Sequence, residues 1–397
     1  MLPNEVKDVI KQTLPVVKAN AEDITAVFYP LMFEAYPQVK AYFNEAHQLE
    51  GTQRRALANA VVAYAENLDR LEVLGDALAV IIHKHASLNI LPEHYPIVGE
   101  CLLKAIREVL GVGDEVINAW GAAYQQLADI LIGAEEEVYR ANESQSGGWR
   151  GEREFVLVKK ERESEVITSF YFEPADGAQL PLFKPGQYTA ITLSIDGKEV
   201  RRNYSLSNSP GEPYFRLSVK REANGLVSNH MHDQLQAGDR VQLTQPCGEF
   251  ILNEHQRPLV LLTGGVGITP AISMLQPALD SGRPVHFIHG ALNSATHAFR
   301  GWVDELSDRH ENLQVTYCYS EPDDGDESHL TGFFDQHILE QLLPEHRDVD
   351  LYFLGPKPFM QSINRSLKVL KLPPEQVRYE FFGPLQELES AEDVVAA

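Results

Sequence analysis

A histidine at the end of an apolar helical run is the first residue that could do chemistry, in the segment IIHKHASLNI at residues 81–90. At 100° per residue, His85 lies about 40° from Ile81 and about 60° from Ile82, so it faces the same side as both. An inward imidazole can be a hydrogen-bonded core residue, or it can bind a metal ion. The helix by itself leaves both roles open.

Glycines form a second pattern with chemical meaning, in the segment LVLLTGGVGITPAISML. Gly264, Gly265 and Gly267 come where a buried strand is followed by a helix, so the backbone there can approach a pyrophosphate. Tight strand–helix turns also use glycine for structural reasons alone, but the strand before and the helix after favour nucleotide binding. Pro270 stands where the usual dinucleotide motif has its third glycine.

Three blocks of different sequence pattern must position these residues. Residues 1–140 carry apolar residues at helical spacing and are predicted to be helical throughout. Residues 154–256 contain short alternating segments separated by turns, which predicts an antiparallel β-barrel. In residues 257–385 buried strands alternate with helices, which predicts a parallel α/β domain. We expect a polar linker at 141–153 and a disordered acidic tail at 386–397.

Composition excludes several classes of function. The 397 residues are 44% hydrophobic and 23% charged, as expected of several globular domains. A net charge of -23 argues against binding to nucleic acid or to an anionic membrane. No export signal or membrane-spanning segment is apparent, so we expect a cytoplasmic protein, and we expect a monomer. Cys101, Cys247 and Cys318 are too far apart for an iron–sulfur cluster or a zinc ribbon.

A predicted barrel followed by the pattern G-x-G-x-x-P resembles the ferredoxin–NADP reductase family. The barrel carries the expected partner motif, RRNYSLS at residues 201–207. The resemblance implies that Arg202 contacts the FAD pyrophosphate, that Tyr204 lies against the isoalloxazine ring and that Ser205 hydrogen-bonds near flavin N5. A basic strand edge with an ordinary buried tyrosine is the structural alternative. The full set of implied FAD-binding residues is Tyr188, Arg202, Asn203, Tyr204, Ser205, Gly225, Ser228, Phe381, Phe382, Gly383 and Pro384.

The same resemblance implies a nicotinamide nucleotide site. Phe382, in the closing segment YEFFGP, is expected to shield the flavin where nicotinamide enters. Leu354 stands where the family often has a cysteine, and Leu292 stands where relatives often have an arginine. The choice between NADH and NADPH therefore stays open. The implied NAD(P)-binding residues are Gly265, Val266, Gly267, Ile268, Thr269, Pro270, Gly355 and Pro356.

The helical block carries an ordered set of residues that resembles a globin. Pro37 opens a turn, and Phe43 follows it where a globin places a phenylalanine against the porphyrin. Gln53 and Leu57 share one helix face at i, i+4, and they match a distal polar residue and a residue over the iron. His85 matches the proximal histidine, so the resemblance implies that His85 ligates the iron of haem b.

A globin followed by a flavin barrel and a nucleotide domain is the domain order of the flavohaemoglobins, and this chain resembles that family over nearly its whole length. The resemblance implies that Tyr29 contacts the bound ligand and that Tyr95 and Glu135 lie behind His85. A carboxylate that accepts the second N–H of a ligating histidine raises the basicity of the ligand and pushes electron density to the iron. A solvated acidic turn is the structural alternative for Glu135.

The family resemblance implies nitric oxide dioxygenase activity. NADH or NADPH would reduce FAD, FAD would reduce haem, and haem-bound O2 would convert nitric oxide to nitrate. Tyr29 and Gln53 would hydrogen-bond the bound O2, and Lys84 and Glu380 match positions that tune the two cofactors, with a surface ion pair as the alternative. Two other functions stay open: a haem–flavin reductase of hydroperoxides, ferric complexes or quinones, and an oxygen or nitric oxide sensor or carrier.

Overall fold

The computed structural model describes residues 2–43 and 52–382, with all side chains in these ranges except those of residues 52–56, 58 and 76. The chain divides into two compact units. One comprises Met1–Glu152 with Ala190–Arg202, and the other comprises Arg153–Thr189 with Asn203–Ala397. Across the described residues, none of the helices combines the length and hydropathy needed to span a bilayer.

Six α-helices within the described residues confirm the helical prediction for the first block. Helix α2 packs against α3 and α5, while α6 packs against α1, α4 and α5, so the apolar faces meet in one core. Gly111 ends α5 in the left-handed conformation with φ 62°. The bounds are α1 Asn4–Ala19, α2 Ala21–Ala35, α3 Thr52–Glu66, α4 Gly75–Ser87, α5 His94–Leu110 and α6 Asp114–Ser144.

An antiparallel sheet of six short strands confirms the predicted barrel-like block. The strand order is β4-β3-β6-β1-β2-β5, and the motif RRNYSLS begins within β4 and runs just past its end. Helix α6 reaches Ser144, so its last turn lies within the segment that the sequence predicts as a linker. The bounds are β1 Glu152–Arg162, β2 Ile167–Pro174, β3 Tyr188–Ile195, β4 Lys198–Ser205, β5 Phe215–Lys220 and β6 Arg240–Thr244, with helix α7 at Leu226–Asp233 after β5.

A parallel sheet with the order β10-β9-β8-β7-β11-β12 confirms the predicted α/β block. The chain adds β8, β9 and β10 on one side of β7 and then adds β11 on the other side. The crevice between the carboxyl ends of β7 and β11 is therefore the topological switch point, where such sheets bind ligands. The strands are β7 Leu259–Gly264, β8 Val285–Ala291, β9 Leu313–Tyr319, β10 Leu330–Thr331, β11 Asp350–Leu354 and β12 Val377–Tyr379, and the helices are α8 Ile268–Asp280, α9 Arg300–Arg309, α10 Gln336–Leu342 and α11 Lys357–Val369.

Candidate functional site

The imidazole of His85 is held by two residues from neighbouring helices. His85 Nδ1 lies 2.8 Å from Glu135 Oε1 and 3.1 Å from Tyr95 Oη. Tyr95 Oη donates to the same Glu135 oxygen at 2.5 Å. Helices α4, α5 and α6 each supply one member, so the packing of the helical core brings together three of the predicted site residues.

The burial of Glu135 and Tyr95 determines the hydrogen-bond directions in this group. Glu135 is 2% exposed, and a buried carboxylate is stable only when donors surround it. Burial raises the pKa of the Tyr95 hydroxyl far above its ordinary value, with Glu135 as a second cause, so the phenol remains a donor. Because the carboxylate accepts, His85 Nδ1 carries the proton, and Nε2 presents its lone pair. Such a nitrogen can bind a metal ion.

Tyr124 supports this group and was missed by the sequence analysis. Its hydroxyl donates to the backbone oxygen of Tyr95 at 2.7 Å, and its ring packs so closely on α5 that a Cβ at Gly99 would lie 2.6 Å from Tyr124 Cε1. Tyr124 and Glu135 stand at i, i+11 on α6, which puts them about 20° apart on one helix face. That spacing is the signal that could have identified Tyr124.

The predicted distal residues lie in an aromatic cluster. The ring of Tyr29, on α2, is 5.7 Å from the ring of Phe43 and 5.8 Å from the ring of Phe33. Phe43 and Leu57 pack against the helical core but stay partly exposed. Gln53 has its backbone in α3, and its side chain lies outside the described residues.

The donor set and its surroundings fit a haem. His85 presents Nε2 from a side chain that is still 33% exposed, although the residue lies between helices. Phe43, Leu57, Ile81 and Ile82 pack partly exposed on the same core and offer apolar surface for a flat ring. Lys84, beside the histidine, is exposed on α4.

The predicted flavin motif ends beside the start of β3. Leu206 N donates to Gln187 O at 2.9 Å, and Tyr188 exchanges two backbone hydrogen bonds with Cys247 at 2.9 and 2.8 Å. Three adjacent strand ends, those of β4, β3 and β6, therefore meet at one edge of the sheet. The predicted residues Tyr188 and Ser205 both lie at this edge.

Orphaned polar atoms at the same edge fit a bound flavin nucleotide. Within the part of the chain that the structure describes, Ser205 Oγ and both polar atoms of Gln245 are buried without a hydrogen-bond partner. Such groups destabilise a fold unless a ligand or water completes their hydrogen bonds. Gln245 was missed by the sequence analysis, and its only signal is a polar residue at the end of a buried strand.

The other predicted flavin residues fall on three separate segments. Arg202, Asn203 and Tyr204 lie half-buried on β4, and Arg202 Nη1 donates to Arg201 O at 2.6 Å. Gly225 caps the N-terminus of α7, and Ser228 lies in its first turn, where Ser228 Oγ donates to Gly225 O at 3.3 Å. The closing segment follows β12, with Glu380 and Phe381 partly buried and Phe382 47% exposed. Gly383 and Pro384 lie outside the described residues.

The predicted nucleotide residues converge at the switch point. The turn Gly265–Gly267 leads from β7 into α8, and Gly265 has φ 52°. A Cβ at Gly267 would lie 2.3 Å from Leu354 O at the end of β11, so only glycine fits there. Gly355 and Pro356 follow β11 directly, next to β7 in the sheet. Val266 is half-buried in the turn, and the first turn of α8 buries Ile268, Thr269 and Pro270.

Comparisons with family models find three matches that follow one another along the chain. Residues 26–131 match the globin family, residues 154–251 match the oxidoreductase FAD-binding domain, and residues 261–365 match the oxidoreductase NAD-binding domain. These matches confirm the predicted fold classes in their predicted order. They also confirm haem, FAD and a nicotinamide nucleotide as the cofactors.

Three known proteins show the extent of the similarity. The flavohemoprotein of Pseudomonas putida is 54% identical over 392 residues, which cover 98% of this chain and 100% of that protein. The crystal structure of flavohemoglobin from Malassezia yamatoensis with bound FAD and heme has 27% sequence identity and a TM-score of 0.86, covering 96% of this chain and 100% of that chain. The FAD/NAD-binding domain of nitric oxide dioxygenase from Vibrio cholerae has 32% identity and a TM-score of 0.54, covering 58% of this chain and 99% of that chain.

Proposed function

Because the chain belongs to the flavohemoprotein family, we propose that it is an NAD(P)H-dependent nitric oxide dioxygenase. The reaction combines two nitric oxide and two O2 molecules with one NAD(P)H, and it yields two nitrates, NAD(P)+ and one proton. The similarity of the reductase half to a domain of the Vibrio cholerae nitric oxide dioxygenase supports this substrate. The observation that carries the proposal is the buried contact between Glu135 and His85.

Haem supplies a one-electron acceptor that binds O2, and FAD supplies a ring that takes up a hydride and releases single electrons. His85 Nε2 would hold the haem iron. Glu135 accepts a hydrogen bond from Nδ1 of the same ring. This contact would make His85 a stronger electron donor to the iron, which favours oxygen activation over oxygen storage. Tyr95 shares the carboxylate and fixes its orientation.

The predicted distal residues would shape the space for a small ligand of the haem. Tyr29 offers a hydroxyl from an otherwise apolar aromatic cluster, which suits a hydrogen bond to a small polar ligand. Phe43 and Leu57 pack partly exposed on the helical core and would offer apolar surface to the haem. We assign Gln53 as a second hydrogen-bond donor to the bound O2 because of its position on α3.

The reductase half orients two nucleotides. Arg202 would hold the FAD pyrophosphate, and Ser205 Oγ, which is buried without a partner in the described structure, would meet the ring near N5. The glycine turn before α8 would admit the pyrophosphate of NAD(P)H at the N-terminus of that helix. Phe382 would cover the flavin until nicotinamide enters. We also propose that Lys84 and Glu380 tune the haem and the flavin.

An electrode assay of the purified holoprotein tests the proposal. Nitric oxide should disappear only when NAD(P)H and O2 are both present, and nitrate should accumulate in equal amount. Replacement of His85 by Ala should abolish haem retention and the activity. Nitric oxide loss that continues without O2 would instead support a haem–flavin reductase. Ligand binding without turnover would support a sensor or carrier.

A further inference from the structure

A buried serine hydroxyl joins the segment before β3 to the helix that follows the glycine turn. Gly186 N donates to Ser273 Oγ at 2.8 Å, although the two residues are 87 positions apart in the chain. Ser273 lies on α8 and is 0% exposed. Both residues belong to the same compact unit, so the contact is internal to one body of the molecule.

The Ser273 hydroxyl takes part in two hydrogen bonds whose directions are determined. A backbone N–H can only donate, so Ser273 Oγ accepts from Gly186 and gives its own proton to Pro270 O, at 2.8 Å. Pro270 lies in the first turn of α8. Because consecutive hydrogen bonds polarise one another, this chain is stronger than its two bonds taken separately. It links the backbone at Gly186 directly to the first turn of the helix.

Glycine is required at position 186 for this close approach. Gly186 has φ 103°, and a Cβ there would lie 2.0 Å from Phe250 O and 2.4 Å from Met274 Cε. The backbone of this turn therefore lies directly against α8. Leu252 N donates to Pro185 O at 3.0 Å, so a second hydrogen bond holds the same turn.

The two ends of the Ser273 contact adjoin residues predicted to bind different cofactors. Tyr188, which begins β3 two positions after Gly186, is a predicted FAD-binding residue. Pro270 is the last residue of the predicted NAD(P)-binding turn. If the Ser273 hydroxyl were removed, the buried N–H of Gly186 would lose its acceptor, and an unsatisfied buried donor destabilises its surroundings. The contact between the turn and the helix would then loosen.

We propose that Ser273 is a positioning residue for hydride transfer, because its hydroxyl fixes the first turn of α8 against the segment that begins β3. The inference rests on the hydride-transfer step of the proposed function and is independent of the nitric oxide step. In that step a hydride, which carries two electrons, passes from NADH to oxidised FAD, and uptake of one proton completes the conversion to NAD+ and FADH2. Hydride transfer is far more sensitive to small displacements than binding, which is spread over a whole nucleotide.

Anaerobic stopped-flow mixing of the holoprotein with NADH measures this step. Flavin bleaching at a series of NADH concentrations gives a limiting rate and an apparent Kd. Ser273→Ala should lower the limiting rate about tenfold, by loss of positioning. The apparent Kd should change less than about twofold. NADH deuterated at the transferred position should still bleach the flavin more slowly than NADH, which assigns the loss to the transfer itself.

A conservative variant, a matched control and a second readout complete the experiment. Ser273→Cys keeps a weak donor and acceptor, so its limiting rate should be intermediate. Ser281→Ala removes a hydroxyl just after α8 that donates to Ala278 O at 2.7 Å, and it should change neither value. Backbone hydrogen exchange at Gly186 does not depend on NADH. It should become faster in Ser273→Ala and stay unchanged in Ser281→Ala.

The outcomes distinguish this inference from the proposed function. Faster exchange at Gly186 with an unchanged limiting rate would make Ser273 a structural contact only and would overturn the inference. A raised Kd with an unchanged limiting rate would place its effect in nucleotide binding, with the same consequence. If NADH bleaches the flavin but nitric oxide is not consumed, the proposed dioxygenase fails, while a slower limiting rate in Ser273→Ala still supports the inference.

Discussion

Glu135 and His85 are joined by a hydrogen bond of 2.8 Å between residues 50 positions apart in the chain. The carboxylate is buried, and the second donor that it accepts from is the Tyr95 hydroxyl. This arrangement sets the protonated nitrogen of His85, and in the proposed function the other nitrogen would bind the iron.

Replacement of Glu135 by Gln should lower nitric oxide dioxygenase turnover by about tenfold to a hundredfold, because the ligating histidine loses its anionic acceptor. Resonance Raman spectra of the ferrous protein should show a weaker iron–histidine stretch. Glu136→Gln is the matched control, since the neighbouring Glu136 instead pairs with Arg140 at 2.8 Å. Equal effects of the two substitutions would refute the role of Glu135.

Replacement of Tyr95 by Phe should have a smaller effect on turnover, because Glu135 still accepts from His85. One buried hydrogen bond is lost, so the free energy of unfolding of the haem-free protein should fall by about 1–3 kcal/mol. Chemical denaturation measures this change. A double substitution with Glu135→Gln should be non-additive, and strict additivity would show that the two residues act separately.

Replacement of Ser205 by Ala should separate flavin binding from stability. Ser205 Oγ has no hydrogen-bond partner among the described residues, so its removal should leave the flavin-free protein as stable as the wild type or slightly more stable. Reduction of bound FAD by NADH should slow, because the ring loses a hydrogen bond near N5. A loss of stability in the flavin-free protein would contradict the assignment.

Replacement of Gly267 by Ala should raise the KM for NAD(P)H by about tenfold or more, because displacement of the α8 N-terminus moves the phosphate-binding N–H groups. The new Cβ would lie 2.3 Å from Leu354 O, which is backbone and cannot move freely. Gly301→Ala in α9 is the control, since no atom lies within 4 Å of its Cβ position. That substitution should stabilise the helix by up to about 1 kcal/mol and leave the KM unchanged.

Two histidines of β8 should make the protein less stable in acid. Burial lowers the pKa of His289 to about 3 and that of His286 to about 4, from an ordinary value of 6.5. Below pH 6.5 the unfolded chain binds protons that the folded chain does not bind, so the free energy of unfolding falls as the pH falls. For fully buried His289 the slope approaches about 1.4 kcal/mol per pH unit.

Denaturation of the full chain at several values between pH 7.5 and pH 5 measures this slope. His286→Gln should reduce the slope, because one of the groups that protonates only on unfolding is removed. His337→Gln, at an exposed residue of α10, is the control and should leave the slope unchanged. Identical slopes for both variants and the wild type would show that His286 does not contribute.

The sequence was sufficient to predict the fold class of each block, and it proposes the residue types of the site, because both depend on local patterns. Helical periodicity turns His85 toward Ile81 and Ile82, and alternation predicts the short strands. The glycines between β7 and α8 predict a phosphate-binding turn for the same reason. The two shortest strands of this sheet, β10 and β12, have too few residues to show a local sequence pattern. They are recognised only by their hydrogen bonds to neighbouring strands in the sheet.

The tertiary structure decided which residues meet. Glu135 and Glu136 are adjacent and chemically identical, and only the packing of α6 against α4 turns Glu135 to His85 and leaves Glu136 with Arg140. Arg201 contacts Leu88 across 113 positions of the chain, a distance at which no local pattern is informative. Such contacts depend on the relative placement of whole elements, which is determined by the packing of their apolar faces rather than by the residues next to the site.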